Sequence, residues 1–228
     1  MCFFSIFLIG MIDSFEIVLL TAFVYAGFEN LNGNSSISNQ SAGILNLNKN
    51  DILDLTKKNP GLKKVRLGAG WDIANNGLDY DLDIAAFLLD SNNKFNTVSN
   101  IIFFNNKESQ GISLAGDNRT GAGEGDDEVI NINLEEINPN IAKIVFVVTI
   151  HEAQAKRQTF GMVENSYVRL VDLENNKREI CRFNLKENGS TATSVIFAEL
   201  NRKGSEWQFK AIGEGKIADL NGVLALYQ

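Results

Sequence analysis

Carboxylates are concentrated in two short segments of this sequence. The first segment reads DYDLD from Asp79 to Asp83 and places an acid at every second position. The second reads GDNRTGAGEGDDE from Gly116 to Glu128, and its five carboxylates and one arginine give a formal charge of −5 + 1 = −4. Oxygen-rich sets of this kind suit Ca²⁺, which takes roughly 6–8 oxygen ligands at about 2.3–2.6 Å. We therefore expect calcium as the cofactor, at about two ions per chain.

In the first segment the predicted metal ligands are Asp79, Asp81 and Asp83. Their side chains share one face of an extended strand, because successive side chains alternate. Apolar residues continue that face as far as Leu89, so the acids would be partly desolvated and mutually repelling unless they are paired or bound to metal. The alternative is an ordinary solvent-facing row of acids. An EF-hand is excluded, because Ile84 stands where its loop requires glycine.

The second segment supplies further predicted ligands. Its glycines allow tight backbone turns that aim carbonyl groups inward. The alternatives are an acidic surface loop and a phosphate cradle, but a phosphate loop requires lysine or a helix N-terminus and would not surround an anion with acids. The predicted side-chain ligands here are Asp117, Asn118, Asp126, Asp127 and Glu128. Three more come from outside the segment: Asn105 and Asn106, with loop anchoring as the alternative, and Glu152 at a strand end.

The pair His151-Glu152 resembles part of a zinc peptidase motif. That motif is H-E-x-x-H, but residue 155 is Ala155 and the chain has one histidine in total, so a catalytic zinc of this type cannot be assembled. We predict a structural role for His151, no catalytic residues and no enzymatic activity. The alternative is a metal-dependent hydrolase that uses the carboxylate cluster with His151.

Charge and cysteine content exclude other classes of protein. The formal charge of −7 and the isoelectric point near 4.9 disfavour binding to the nucleic-acid backbone, which needs clustered Lys and Arg. Cys2 and Cys181 lie far apart in the sequence, so neither a disulfide framework nor a cysteine zinc site is supported.

Short apolar runs separated by turn residues predict a mainly β fold. About ten strands indicate a two-sheet β-sandwich, with one or two short helices at Ala153 to Gln158 and Ile217 to Tyr227 and with Trp71 and Trp207 in the core. The predicted strands are Ile44 to Leu47, Asp51 to Leu55, Lys64 to Leu67, Leu82 to Leu89, Val98 to Phe104, Ile130 to Leu134, Lys143 to Ile150, Tyr167 to Asp172, Glu179 to Leu185, Thr193 to Asn201 and Glu206 to Ile212.

Several of these segments together resemble the TerD family of tellurium-resistance and general-stress proteins. They are GWD from Gly70, DYDLDIAAFLL from Asp79, FFNN from Phe103, the Gly116 to Glu128 segment, and KIVFVVTIHEA from Lys143. The resemblance covers about Gly43 to the C-terminus, including RFNL and EWQFKAIGEG. It implies a calcium-binding β-sandwich of the bacterial cytoplasm without established enzymatic activity. The chain departs from the family where KIADLNG follows GEG.

The first 42 residues have no counterpart in the family pattern. We expect an apolar extension and an Asn/Ser-rich linker before a folded domain at residues 43–228. Asp13 and Glu16 interrupt the apolar stretch from Met1 to Phe28. The apolar run on either side of them is shorter than the ~20 residues that a helix needs to cross a bilayer. A non-native extension, a membrane-associated helix and an export signal are the three interpretations of this stretch.

The resemblance also carries expectations about location and partners. We expect the protein in the cytoplasm, or at a membrane through residues 1–28. The expected partners are other stress-response proteins, some of them membrane-associated. No nucleic-acid partner is expected, and the sequence identifies no small-molecule substrate.

Overall fold

The structure, a computed structural model, describes residues 44–72, 80–115, 125–185 and 190–228. All of them belong to the compact unit Ile37–Gln228. The predictions for residues 1–42 and for the ligands Asp79, Asp117 and Asn118 lie outside the described residues. Where the chain is described, no helix has the length and the apolar character needed to cross a membrane.

The described residues form thirteen strands in two sheets, which confirms the predicted mainly β, two-sheet sandwich. The first sheet has the order β1-β11-β10-β3-β8-β7-β6, and the second has the order β2-β13-β12-β9-β4-β5. Neighbouring strands are antiparallel except for β1 and β11, which are parallel. The strands are β1 Leu45–Asn46, β2 Ile52–Asp54, β3 Lys64–Asp72, β4 Leu82–Leu89, β5 Ile101–Ile102, β6 Glu108–Ser109, β7 Ile112–Ala115, β8 Glu128–Asn133, β9 Lys143–Ile150, β10 Glu164–Asp172, β11 Arg178–Asn184, β12 Ser194–Lys203 and β13 Glu206–Lys216.

The main core lies between the two sheets. In β8, Ile130 and Ile132 are buried in this core while Asn131 is only partly buried, as expected for a strand with one covered face. Trp71 and Trp207 are both buried in the same core, which confirms their predicted role.

A second apolar cluster covers the outer face of the second sheet. Strands β4 and β9 are apolar on both faces because the C-terminal segment packs over them. Val223 is fully buried there, and the rings of Phe87 and Tyr227 meet edge to face at a centroid distance of 5.8 Å. The continuous apolar sequence of β4 therefore reflects burial on both sides.

Three α-helices, all short, are found in the described residues. They are α1 Leu55–Lys58, α2 Ala153–Lys156 and α3 Leu220–Leu224. Both predicted helical stretches are confirmed in shorter form, the second continuing as a 3-10 turn over Ala225–Tyr227.

The segment predicted as a strand from Val98 to Phe104 is corrected. It opens with a 3-10 turn over Val98–Asn100, and only Ile101 and Ile102 pair with β4. The reason is local: the Asn106 amide nitrogen donates to the carbonyl of Ile101 at 2.7 Å and closes the chain into a turn.

Candidate metal centre

Strand β8 begins at Glu128, whose side chain crosses from the first sheet to the second. This carboxylate is 4% exposed, and its Oε2 accepts the backbone N–H of Ile84 at 2.7 Å. Ile84 lies beyond the last residues of β4 that pair with β5, Ala86 and Phe87. Glu128 therefore replaces a missing strand neighbour and fixes the start of β4 against the start of β8.

Asp127 makes a similar contact one residue earlier. Its backbone N–H donates to the carbonyl of Ala69 at 2.8 Å, and its Oδ2 accepts the backbone N–H of Trp71 at 3.0 Å. The paired register of β3 and β8 ends at Ala69 and Glu128. The Asp127 side chain thus continues the ladder past its end, and it is 8% exposed.

Trp71 joins the two acidic segments. While its backbone N–H meets Asp127, its indole N–H donates to the carbonyl of Tyr80 at 3.0 Å. Tyr80 immediately precedes Asp81, so one buried tryptophan holds Asp127, near the end of the glycine-rich acidic segment, close to the residue before Asp81.

Asp81 and Asp83 meet the end of β9 at His151. The backbone N–H of His151 donates to the Asp81 carbonyl at 2.7 Å, and the His151 Nδ1 lies 3.5 Å from the Asp83 Oδ2. The His151 side chain is 45% exposed and that of Asp83 is 19% exposed. His151 is therefore a half-exposed neighbour of the acidic segment, hydrogen-bonded to it through its backbone and with its ring close to Asp83.

Asp126 is held by a different partner from Asp127. Its Oδ1 accepts from the Arg169 Nε at 2.7 Å, and its side chain is only 7% exposed. Arg169 also donates from Nη1 to Glu179 at 2.9 Å, and Arg182 binds Glu179 through Nε at 2.8 Å. The Asp126 carboxylate is thereby committed to a network on β10 and β11.

The network perturbs the acid–base properties of its members. Burial favours the neutral form of Glu179, but hydrogen bonds from Arg182 and Arg169 outweigh it and lower the pKa of this carboxyl. Burial raises the pKa of Tyr167, and the negative charge of Asp126 raises it further. Glu179 is therefore ionised, and the Tyr167 hydroxyl keeps its proton, at neutral pH.

Asn106 and Glu152, two of the other predicted ligands, have local partners. The Asn106 amide nitrogen binds the Ile101 carbonyl, which supports the loop-anchor alternative, and Asn105 is exposed on the same turn. The Glu152 side chain is 61% exposed and lies 3.6 Å from the Lys156 Nζ. The side chains of Asn106 and Glu152 therefore contact residues that are close to them in the sequence.

The described side chains fit calcium in their chemistry but do not complete a site. Asp81, Asp83, Asp127 and Glu128 offer only oxygen, as Ca²⁺ prefers. Within the described ranges, no three side chains of His, Cys, Asp or Glu converge closely enough to hold a metal ion. The other predicted ligands of the two acidic segments, Asp79, Asp117 and Asn118, lie outside the described residues.

Sequence reasoning did not identify Arg169 and Tyr167 as part of this region. The Tyr167 hydroxyl donates to the carbonyl of Gly125 at 3.0 Å, across 42 residues of sequence, and Arg169 reaches Asp126 across 43 residues. No local motif marks such contacts, because they arise only when β3 brings β8 and β10 to either side of itself.

Known proteins are similar to this chain in both sequence and fold. The TerD domain profile matches residues 44–227. The tellurium resistance protein TerD of Serratia marcescens is 45% identical over 186 residues, which cover 80% of this chain and 96% of that protein. General stress protein 16U of Bacillus subtilis is 47% identical over 175 residues, covering 75% and 90%.

A solved structure agrees with these matches. A homologue of the telluride resistance protein TerD from Streptomyces coelicolor superposes with a TM-score of 0.61 at 27% identity, covering 72% of this chain and 96% of that one. The profile and the relatives place residues 44–227 with one group of bacterial proteins. This chain belongs to the TerD family of tellurium-resistance and stress-response proteins.

Proposed function

We propose that this protein is a calcium-binding module of the stress response, and that metal binding orders an acidic surface that other proteins recognise. One observation carries the proposal: Trp71 brings the described parts of the two acidic segments together through its bonds to Asp127 and to the carbonyl of Tyr80. Acids gathered in this way repel each other unless a cation neutralises them.

Four described carboxylates would take part in binding the metal. They are those of Asp81, Asp83, Asp127 and Glu128, joined by the predicted ligands Asp79, Asp117 and Asn118. Calcium would supply the positive charge that this end of the sandwich requires. The protein's own contribution is to hold Asp127 and Glu128 in place through the backbone N–H groups of Trp71 and Ile84.

The names of the relatives connect such a module to tellurium resistance and to general stress. We propose that the chain acts in the cytoplasm by binding other stress-response proteins rather than by catalysis. Thiol chemistry at Cys181 is disfavoured as the source of resistance, because this thiol is buried and burial raises its pKa to about 12. A thiol of this kind forms almost no reactive thiolate at neutral pH.

A metal-dependent hydrolase is the second candidate, and the contact between His151 and Asp83 favours it. Such an enzyme would need the imidazole as an acid or base beside the metal. The variant His151→Gln distinguishes the two functions. If the protein is a binding module, the variant keeps calcium binding and stress tolerance. If it is a hydrolase, the variant loses stress tolerance.

Complementation of a tellurite-sensitive bacterium that lacks its own TerD protein tests the proposal. We expect the native chain to restore growth on tellurite and Asp127→Asn or Asp83→Asn to fail while still accumulating as folded protein. Glu206→Gln is the matched control, because Glu206 is an exposed acid of β13 outside both segments. Full tolerance from both acidic-segment variants would reject a role for metal binding.

A further inference from the structure

Four side chains on the outer face of the first sheet form a charge-balanced chain. The carboxylates of Asp126 and Glu179 alternate with the guanidinium groups of Arg169 and Arg182, at distances of 2.7, 2.9 and 2.8 Å. The carboxylate side chains are 7% and 10% exposed and Arg169 is 26% exposed. Charge-assisted bonds that are partly removed from water are stronger than exposed ones.

Two glycines of β3 make the space in which this network lies. A Cβ at Gly68 would stand 2.2 Å from the Asp126 carboxyl carbon, and a Cβ at Gly70 would stand 2.5 Å from the Tyr167 hydroxyl. Ala69 between them faces the core. The alternation Gly-Ala-Gly therefore lets Asp126 and Tyr167 lie directly on the backbone of β3.

Tyr167 holds the residue before Asp126 as well. Its hydroxyl donates to the Gly125 carbonyl at 3.0 Å and lies 3.4 Å from the Asp126 Oδ1. Gly125 has a φ of 107°, a backbone conformation that residues other than glycine rarely adopt. The chain is thus fixed at Gly125 and Asp126, shortly before β8 begins at Glu128.

These contacts separate Asp126 from the acids that follow it. Asp127 and Glu128 accept backbone N–H groups at the end of the sandwich, whereas Asp126 is already neutralised by Arg169 at 2.7 Å. A cation would have to share the Asp126 carboxylate with that guanidinium, or displace it, in order to use Asp126 as a ligand.

We propose that Asp126 is the anchor of the acidic segment rather than one of its metal ligands, and that Arg169, assisted by Tyr167, is a positioning residue for Asp127 and Glu128. The effect of Arg169 on calcium binding rests on the proposed calcium site. Its structural part, a latch between Asp126 and Arg169, stands independently of any metal.

The test compares Asp126→Asn, Arg169→Gln and their double variant with Asp127→Asn, in the full chain. We expect each latch variant to lower the melting temperature in EDTA by roughly 3–6 °C, as a loss of one to two buried contacts does in a chain of this size. The double variant should lose much less than the sum, because both changes remove the same contact.

Calcium titration supplies the second readout. The latch variants should keep the native calcium stoichiometry and bind roughly tenfold more weakly, since only a fraction of molecules hold the segment in the competent arrangement. Asp127→Asn should instead lose a binding site. Arg169→Lys, which keeps the cation without the fork that reaches both acids, should recover part of both losses.

The possible outcomes distinguish this inference from the proposed function. Loss of a calcium site in Asp126→Asn with an unchanged melting temperature in EDTA would show that Asp126 is a ligand and overturn the inference. Additive losses in the double variant would overturn the latch as well. Absence of calcium binding in the native chain would refute the proposed function, and non-additive melting data would then still support the latch.

Discussion

Asp126 and Asp127 are neighbours in the chain, yet their carboxylates serve different parts of the sandwich. Asp126 binds the Arg169 guanidinium over Gly68, and Asp127 binds the backbone N–H of Trp71 beyond the end of the β3–β8 ladder. The entry into β8 is therefore held from two sides. This arrangement fixes the position of Glu128 and, with it, the start of β4.

Removal of the Glu128 acceptor should destabilise the protein even without metal. Glu128→Met leaves the buried N–H of Ile84 without its carboxylate, and an unsatisfied buried donor costs about 1–3 kcal/mol. Glu128→Gln keeps an oxygen acceptor of similar length and should lose less. Urea unfolding in EDTA measures the difference, and equal stabilities of the two variants would show that the contact with Ile84 contributes nothing.

Gly68→Ala should displace the Asp126 side chain from its place on β3. The added Cβ would stand 2.2 Å from the Asp126 carboxyl carbon, and overpacking of this kind costs about 1–3 kcal/mol. Combining it with Asp126→Ala removes the clash, so the double variant should be more stable than the sum of the single losses predicts. Strict additivity in chemical unfolding would mean that the two residues do not meet.

The Cys181 thiol should be unreactive in the native protein. Its side chain is buried, and its pKa is raised to about 12 by that burial. In a Cys2→Ser variant, a disulfide reagent such as DTNB at pH 8 should modify no thiol before unfolding and one thiol in guanidinium chloride. Rapid modification of the folded variant would contradict the packing of β11 against β10.

The Glu179 carboxyl should make the stability depend on pH in the acid range. Since its pKa in the folded protein is below the ordinary value of 4.5, its contribution is fully present above that value and is lost as the pH falls through the folded pKa. The native chain should therefore exceed Glu179→Gln in stability at pH 6, and the difference should shrink towards pH 3. A difference that stays constant over this range would contradict ionisation of Glu179 as its source.

Elements with strong local patterns were predictable from the sequence. The bounds of β4 and β9 match their apolar runs, because both strands are covered on both faces. Strands β6 and β7 were not predicted, since Glu108–Ser109 and Ile112–Ala115 are too short to show an alternation. The helix α1 was not predicted, and its first residue, Leu55, was assigned to the preceding strand because it follows the apolar residues of β2 directly.

The candidate site was predictable only in part, for a related reason. Composition marked both acidic segments, but the separation of Asp126 from Asp127 depends on Gly68 in β3 and Arg169 in β10. These residues become neighbours through sheet order, and a single sequence carries no local sign of that order. The indole bond from Trp71 to Tyr80 depends likewise on packing between the sheets.

The buried acid Asp172 is not a suitable control for the variants of the acidic segments. Asp172 lies outside both acidic segments, but it is 5% exposed and its Oδ1 accepts the backbone N–H groups of Glu174 and Asn175. Its removal would disturb the turn after β10. Glu206 is exposed, and Glu206→Gln changes the net charge by the same amount as Asp127→Asn.

Calorimetric calcium titration of the full chain, combined with thermal melting, shows directly whether the protein binds calcium in its folded state. We expect saturable binding of about two Ca²⁺ ions with weaker binding of Mg²⁺, and a stabilisation of about 2.7 kcal/mol for each site when free calcium is a hundredfold above Kd. Asp127→Asn and Asp83→Asn should lose binding while Glu206→Gln retains it. Absence of binding heat and of any calcium-dependent rise in melting temperature in the native chain would show that the protein is not a calcium-binding module.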